Sequence, residues 1–264
     1  MAVGGLIVVA VFVIVAIFAP WIAPYDPSAT DFIHTFGHPS GKHLLGTDQL
    51  GRDELSRVIW GDRASMQVGF LSTMLAMVIA VPIGMIAGYY RGGVDTVIAR
   101  VTDVLLAFPF LILGVGLAAI LGPSLLNATL ALGIGAVPAF IRIARGEMLA
   151  LREEDYVPAA IANGAGDATI IFRHILPNMT STLLVQATVT IPAAIIGEAV
   201  LSFLGLGVQP PTPSWGTMLS DAQEFLAQAP RLAVYPGVAV VLAALAFNVF
   251  GDGLRDILDP RTTR

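Results

Sequence analysis

The chain carries the stretch Asp155-Tyr-Val-Pro-Ala-Ala-Ile-Ala-Asn-Gly-Ala-Gly166, followed by Phe172-Arg-His-Ile-Leu-Pro-Asn178, between two long apolar runs. Its alanines and glycines would let a partner surface approach a short helix closely, and Gly164-Ala-Gly166 would turn the chain before the next helix. We therefore expect a helix–turn–helix that lies outside the membrane and couples the chain to a partner there.

The composition indicates a polytopic membrane protein. Hydrophobic residues make up 56% of the 264 residues and charged residues only 12%, whereas a soluble domain carries about 25% charge. The absence of cysteine excludes disulfides and thiolate chemistry. The formal net charge of −5 provides no basic surface for nucleic acid.

Uncharged runs predict an all-α protein with six transmembrane helices, since a spanning helix needs roughly 20 apolar residues. The uncharged run from Val104 to Ile141 is too long for one crossing, and Gly122-Pro-Ser124 divides it into two helices. The predicted spans are 4–23, 65–90, 101–121, 125–145, 175–203 and 232–252. In this single domain, 1–264, the outer loops are 24–63 and 206–231, and the cytoplasmic loop of interest is 150–174.

The basic residues predict that both termini are cytoplasmic. In that orientation nine of the 14 Lys and Arg residues lie in inner segments and five in outer segments, as the positive-inside rule expects. The first apolar run lacks the basic start and the cleavage site of a signal peptide, so we expect it to span the membrane. Few residues precede it, which suggests a shortened N-terminus.

Small residues recur at every fourth position in three spans, a spacing that lets helices approach closely in lipid. They either pack helices within this subunit or form a seam against a second membrane subunit, and both can hold. The residues are Ala76, Ala80, Gly84 and Gly88, then Gly114, Ala118 and Gly122, then Ala131, Gly135 and Ala139.

Polar residues in or near the spans either line a translocation path or bond to a neighbouring helix. Gln186 and Asn248 lie within spans, and Glu198 lies near the outer end of the fifth. Intramembrane acids are functional candidates by default, and a local hydrogen bond is the alternative for Glu198. Asp103 follows Arg100 by three residues, which predicts an ion pair on one helix.

No metal or nucleotide site is predicted in this chain. His34, His38 and His43 lie in the first outer loop, where loosely spaced histidines are usually solvated. A P-loop needs G-x4-G-K-[ST]. Lys42, the only lysine, follows Gly41 but lacks the first glycine and the Ser or Thr. Any energy that the protein uses must therefore come from a partner or from an ion gradient.

The loop at 155–178 resembles the cytoplasmic EAA loop of ABC importer permeases, E-A-A-x3-G-x9-I-x-L-P. Pro158 stands in place of the glutamate and His174 in place of the isoleucine. The other matching residues are Ala159, Ala160, Gly164, Leu176 and Pro177. Residues 18–27, 44–53, 201–216 and 251–260 resemble the C-type permease subunit of the dipeptide, oligopeptide and nickel branch.

This resemblance implies a non-catalytic permease with the type I importer fold, which moves di- or oligopeptides by alternating access in a prokaryotic cell membrane. Nickel or another small solute is the alternative cargo. The implied partners are a second homologous permease, two cytosolic P-loop ATPases that bind ATP and Mg, an extracytoplasmic binding protein and membrane lipid.

The resemblance also assigns roles to residues. The cytoplasmic loop would be a coupling helix that docks on an ATPase, and a short helix around Thr217–Ala227 would either receive the binding protein or only cap the bundle. The coupling residues are Pro158, Ala159, Ala160, Gly164, Ala165, Arg173, His174 and Pro177. The docking residues are Trp215, Asp221 and Glu224.

Three other functions compete with an importer. A secondary transporter is expected to show internal repeats and ionisable groups near the midplane, whereas the charges here cluster at span ends. A membrane enzyme needs a catalytic set, and the sequence has no His-Glu-x-x-His, paired aspartates or G-x-S-x-G. A channel would not need the EAA loop.

Overall fold

The computed structural model describes residues 2–258, which form helices and loops with one isolated bridge between Thr47 and Asp53. Its helices are α1 (Ala2–Ile22), α2 (Glu54–Tyr90), α3 (Gly92–Leu106), α4 (Phe110–Leu121), α5 (Leu125–Leu151), α6 (Tyr156–Ala162), α7 (Asp167–Thr169), a π-helical segment (Ile170–Ile175), α8 (Leu176–Phe203), α9 (Trp215–Gln223) and α10 (Arg231–Leu258).

Several helix starts follow from capping chemistry, in which a side-chain oxygen accepts from a free backbone N–H. Asp53 caps α2 by accepting from the Ser56 N–H, and Ser124 caps α5 by accepting from the Asn127 N–H. Ser214 and Thr217 form a capping box at α9. The cap fixes the start of α9 at Trp215, two residues before the predicted position.

The chain crosses the membrane six times. Five helices are long and apolar enough to span it, and the pair α3–α4, bent by 87°, is the sixth candidate. Helices α2 and α5 run parallel, because Gly133 faces Ser72 at one end and Gly88 faces Met148 at the other. Two parallel crossings require a return between them, so the bent pair must form the third crossing.

The third crossing is not the single helix predicted over 101–121. Helix α3 begins earlier, at Gly92, and ends at Leu106; α4 starts only at Phe110. Pro109 lies at the break with a ψ of 135°. Proline has no backbone N–H and disfavours a helical residue before it, so the helix cannot continue through Phe108.

The small-residue spacing serves packing inside this subunit. Ala76 and Ala80 of α2 have no exposed surface. A Cβ at Gly84 would come within 2.7 Å of the Ala144 Cβ and of the Ile141 carbonyl oxygen. These contacts confirm the internal alternative for α2 and α5, because only small side chains let the two backbones come this close.

The ion pair predicted between Arg100 and Asp103 does not form. Arg142 of α5 donates to Asp103 at 2.8 Å, and Arg145 forms a two-bond pair with Asp95 whose Nη2 bond measures 2.8 Å. Arg100 is exposed. Their three-residue spacing alone predicted a pair between Arg100 and Asp103. The packing of α3 across α5 instead brings Arg142 to Asp103.

Candidate coupling site and translocation face

Helix α6 is the short helix predicted for the coupling loop. Val157 and Ala160 are buried in the core, whereas Pro158 and Ala159 are exposed. Pro158 is the third residue of α6, within the first turn, where its missing N–H removes no helical hydrogen bond. Burial raises the pKa of the Tyr156 hydroxyl at the start of this helix. One face of α6 is thus anchored and the other is free.

Gly164 ends this helix in a conformation that favours glycine. Its φ is +81°, and the Ala165 N–H donates to the Ala160 carbonyl at 3.0 Å. The Gly164 N–H donates to the Ile161 carbonyl at 2.9 Å, so the turn satisfies the free carbonyls of the helix end. No atom lies within 4 Å of a Cβ built at Gly164. Glycine is therefore favoured at this position by the backbone conformation and not by lack of space for a side chain.

The π-helical segment connects the coupling loop to α8. Ile170, Ile171 and Ile175 of this segment are buried. Arg173 and Pro177 are exposed, and His174 is half-buried. A π-helical turn inside an α-helical run is rare and occurs frequently at functional sites. Sequence periodicity does not reveal it, because it differs from an α-helix by one residue of register.

Two exposed apolar residues in the loop extend the candidate docking face beyond the predicted residues. Ile161 of α6 is 56% exposed and Phe172 of the π-helical segment is 61% exposed. Both lie in the loop that also exposes Pro158 and Ala159. The EAA pattern gives both positions as unspecified, so the resemblance did not identify them.

Gln186 lies between two cavities. One, of about 460 Å³, is also lined by Glu147, Arg255 and Thr182. The other, of about 180 Å³, lies beneath the bend between α3 and α4 and is largely apolar. Gln186 donates to Thr190 at 3.3 Å across a turn of α8. Of the predicted path residues, Gln186 therefore has the geometry of a lining residue.

Asn248 lies on the exposed face of α10 and lines neither cavity. Glu198 has no exposed surface and accepts from Ser65 at 2.9 Å and from Ser202 at 2.6 Å. The Ser65 bond joins α2 to α8, and the Ser202 bond lies within α8. This geometry supports the local alternative for Glu198, and its part in a gate stays a prediction.

The three predicted docking residues differ in exposure in the structure. Trp215 is fully buried, where its ring packs edge-on against Phe12 at 5.7 Å and its Nε1 donates to the Val58 carbonyl. Its placement on an outer docking surface is therefore wrong in this conformation, because the indole fills the core. Asp221 is one-third exposed and paired with arginines, and Glu224 is exposed.

The histidines of the first outer loop do not converge. His34 pairs with Asp31 at 2.7 Å and His43 pairs with Asp53 at 2.8 Å. The hydrogen bond from His34 lowers the pKa of the Asp31 carboxyl. Within residues 2–258, no group of three or more His, Cys, Asp or Glu side chains has the geometry of a metal site.

Comparisons with known proteins agree with this architecture. The family described as "Binding-protein-dependent transport system inner membrane component" matches residues 80–264, and the "N-terminal TM domain of oligopeptide transport permease C" matches residues 1–39. The dipeptide transport system permease protein DppC of Alkalihalophilus pseudofirmus is 44% identical over 261 residues, 99% of this chain and 86% of the relative. The glutathione transport system permease protein GsiD of Escherichia coli is 44% identical over 262 residues, 99% of this chain and 86% of the relative.

Solved structures show the same fold. A chain of the methionine ABC transporter MetNI in an inward-facing conformation aligns with a TM-score of 0.64 at 19% identity, covering 76% of this chain and 96% of that chain. The fold is that of the type I importer permeases, with the coupling segment outside the membrane and a bent third crossing. The chain therefore belongs to the family of binding-protein-dependent transport system inner membrane components.

Proposed function

We propose that this chain is a permease subunit of an ATP-driven importer of di- or oligopeptides. The observation that carries the proposal is helix α6, anchored by Val157 and Ala160 and open along Pro158 and Ala159. A helix held this way transmits a push from a partner into the spans, because packed interiors transmit strain. The relatives named for dipeptide and glutathione transport support a peptide-like cargo.

The proposal includes the rest of the assembly. Two cytosolic ATPases bind ATP and Mg and supply the energy, and a second homologous permease completes the path lined by Gln186. An extracytoplasmic binding protein delivers the peptide to the outer side, which carries Glu224. The chain lies in a prokaryotic cell membrane with both termini in the cytoplasm and performs no covalent chemistry itself.

The test is a pull-down from mild detergent, followed by uptake in vesicles with defined peptides. The native assembly should retain a second permease and two ATPases and should take up peptide only with ATP. Ala159→Trp places a bulky group on the free face of α6 and should lose the ATPases and ATP-driven uptake. Gly164→Leu should uncouple ATP hydrolysis from uptake, because leucine resists the positive φ.

Ala227→Trp is the matched control, since Ala227 is an exposed alanine of the opposite outer loop. It should retain the ATPases. Full ATP-driven uptake by the Ala159→Trp assembly would contradict the docking role of α6. Uptake by this chain without any ATPase, driven by an ion gradient, would overturn the importer function.

Glutathione, a tripeptide, is a second candidate cargo because relatives named for glutathione and for dipeptide transport are equally similar to this chain. Competition between labelled dipeptide and unlabelled glutathione in the same vesicles separates the two.

A further inference from the structure

Three elements meet at Tyr89, the penultimate residue of α2, beneath the coupling loop. The Tyr89 hydroxyl donates to Asp167 Oδ1 at 2.9 Å, where α7 begins. The Tyr89 carbonyl accepts a hydrogen bond from Arg152, the residue that follows α5. The Arg152 guanidinium also lies 5.2 Å from the centre of the Tyr89 ring.

These contacts join a buried ring to an exposed carboxylate. A hydrogen bond to an ionised carboxylate is roughly twice as strong as a neutral one. A guanidinium over an aromatic face adds attraction that grows with desolvation, and Tyr89 is only 8% exposed. The ring belongs to the same core cluster as Val157 of α6 and Ile171 of the π-helical segment. The coupling helix and the start of the fifth crossing thus share one apolar core with the ring.

The neighbouring residues are more exposed than Tyr89. Tyr90, whose hydroxyl also interacts with Asp167, is 55% exposed. Arg91 pairs with Glu153 on the surface, where the two side chains are 43% and 67% exposed. The π-helical segment separates Asp167 from α8, and such turns occur frequently at functional sites. The bond from Tyr89 to Asp167 joins α2 to the loop side of that segment.

We propose that Tyr89 is a positioning residue that joins α2, α5 and the coupling loop, so that movement of the loop shifts the cytoplasmic halves of the spans together. The proposal rests on the proposed function, because the movement is that of a loop docked on an ATPase. Without the Tyr89 hydroxyl, the loop still docks and ATP is still hydrolysed, but the movement no longer reaches α2 in full.

The test uses the complete assembly in vesicles and measures peptide uptake and ATP hydrolysis together. Tyr89→Phe keeps the ring beneath Arg152 and removes only the hydroxyl. The uptake per ATP should fall roughly two- to fivefold, because Asp167 is exposed and water partly replaces the lost bond, with ATPase retention unchanged. Tyr235→Phe makes the same chemical change in α10 and should leave the ratio unchanged.

Substitutions of Asp167, the hydrogen-bond partner of Tyr89, test the proposal independently. Asp167 is exposed, so Asp167→Ala should fold and show the same defect, and Asp167→Asn, which keeps an acceptor oxygen, should recover part of the coupling. If Tyr89→Phe fails to accumulate in the membrane, these two Asp167 variants decide the question. The double variant Tyr89→Phe/Asp167→Ala should be no worse than either single variant, because contacting residues are not additive.

The outcomes separate the two proposals. If the native assembly shows no ATP-driven peptide uptake, the proposed function fails whatever the variants do. If the native assembly transports and both Tyr89→Phe and Asp167→Ala keep the native ratio of uptake to ATP hydrolysed, the role of Tyr89 is overturned. Additive defects in the double variant would also overturn it, because the residues would then act separately.

Discussion

The two ends of the helix bundle around α2 are built from different interactions. At the outer end Arg57, 3% exposed, donates to Asp221 at 3.0 Å and lies 3.4 Å from Asp48, which is 4% exposed. On the inner side two ion pairs are largely solvated: Arg142 and Asp103 are 59% and 54% exposed, and Arg91 and Glu153 are 43% and 67% exposed. The third, between Arg145 and Asp95, is more protected, at 31% and 17%. Buried charges resist separation strongly, whereas solvated pairs contribute little.

The difference predicts that the outer end is more rigid than the inner end. The outer cluster ties the first outer loop to α9, because Arg52 bonds both Asp48 of that loop and Asp221 of α9. The exposed inner pairs connect α3 to α5, and α2 to the loop after α5, with bonds that water can replace. This more adjustable region lies next to α6.

Arg57→Ala should produce the largest effect on stability. It leaves Asp48 buried with less compensation, so the free energy of unfolding should fall by about 3–5 kcal/mol, as for other broken buried pairs. The measurement is thermal stability of the purified subunit by the loss of its monodisperse chromatographic peak. Arg63→Ala is the control, since Arg63 is half-buried and lies over the Trp60 ring at 5.7 Å. Equal stability of the Arg57 variant and the native chain would contradict a rigid outer end.

Gly84→Val should have an intermediate effect. The added side chain would overlap Ala144 and the Ile141 backbone, and overpacking of this kind costs about 1–3 kcal/mol. Gly116→Val is the matched change in α4, where a Cβ meets no atom within 4 Å. The same thermal assay applies, and a Gly84 variant no less stable than the Gly116 variant would show that α2 and α5 can move apart freely.

Arg142→Ala should have the smallest effect, less than about 1 kcal/mol, because both members of its pair are more than half exposed. The stability of the Arg142→Ala variant should also depend less on salt concentration than that of the native chain. A loss of stability as large as that of Arg57→Ala would contradict the difference in rigidity between the two ends.

The sequence predicted the architecture well, but it missed interactions between distant residues. The coupling helix followed from small residues and two glycines, and α6 lies there with Gly164 at a positive φ. Trp215 illustrates the limit: an aromatic residue beside a proline-rich loop is typical of an interface, yet the fold encloses it. Burial of that side chain depends on α1, which contributes Phe12 from the far end of the chain.

The sequence by itself determined the apolar spans, the short helix between the fourth and fifth of them and the absence of a nucleotide-binding P-loop motif in this chain, because hydrophobic length, small-residue spacing and motif spacing are local properties. Only the tertiary structure decided that Asp103 bonds Arg142 instead of Arg100, that Glu198 bonds Ser65 and Ser202, and that Tyr89 meets Asp167. The physical reason is that hydrogen bonds and ion pairs require atoms about 3 Å apart, and packing alone decides which distant residues come that close.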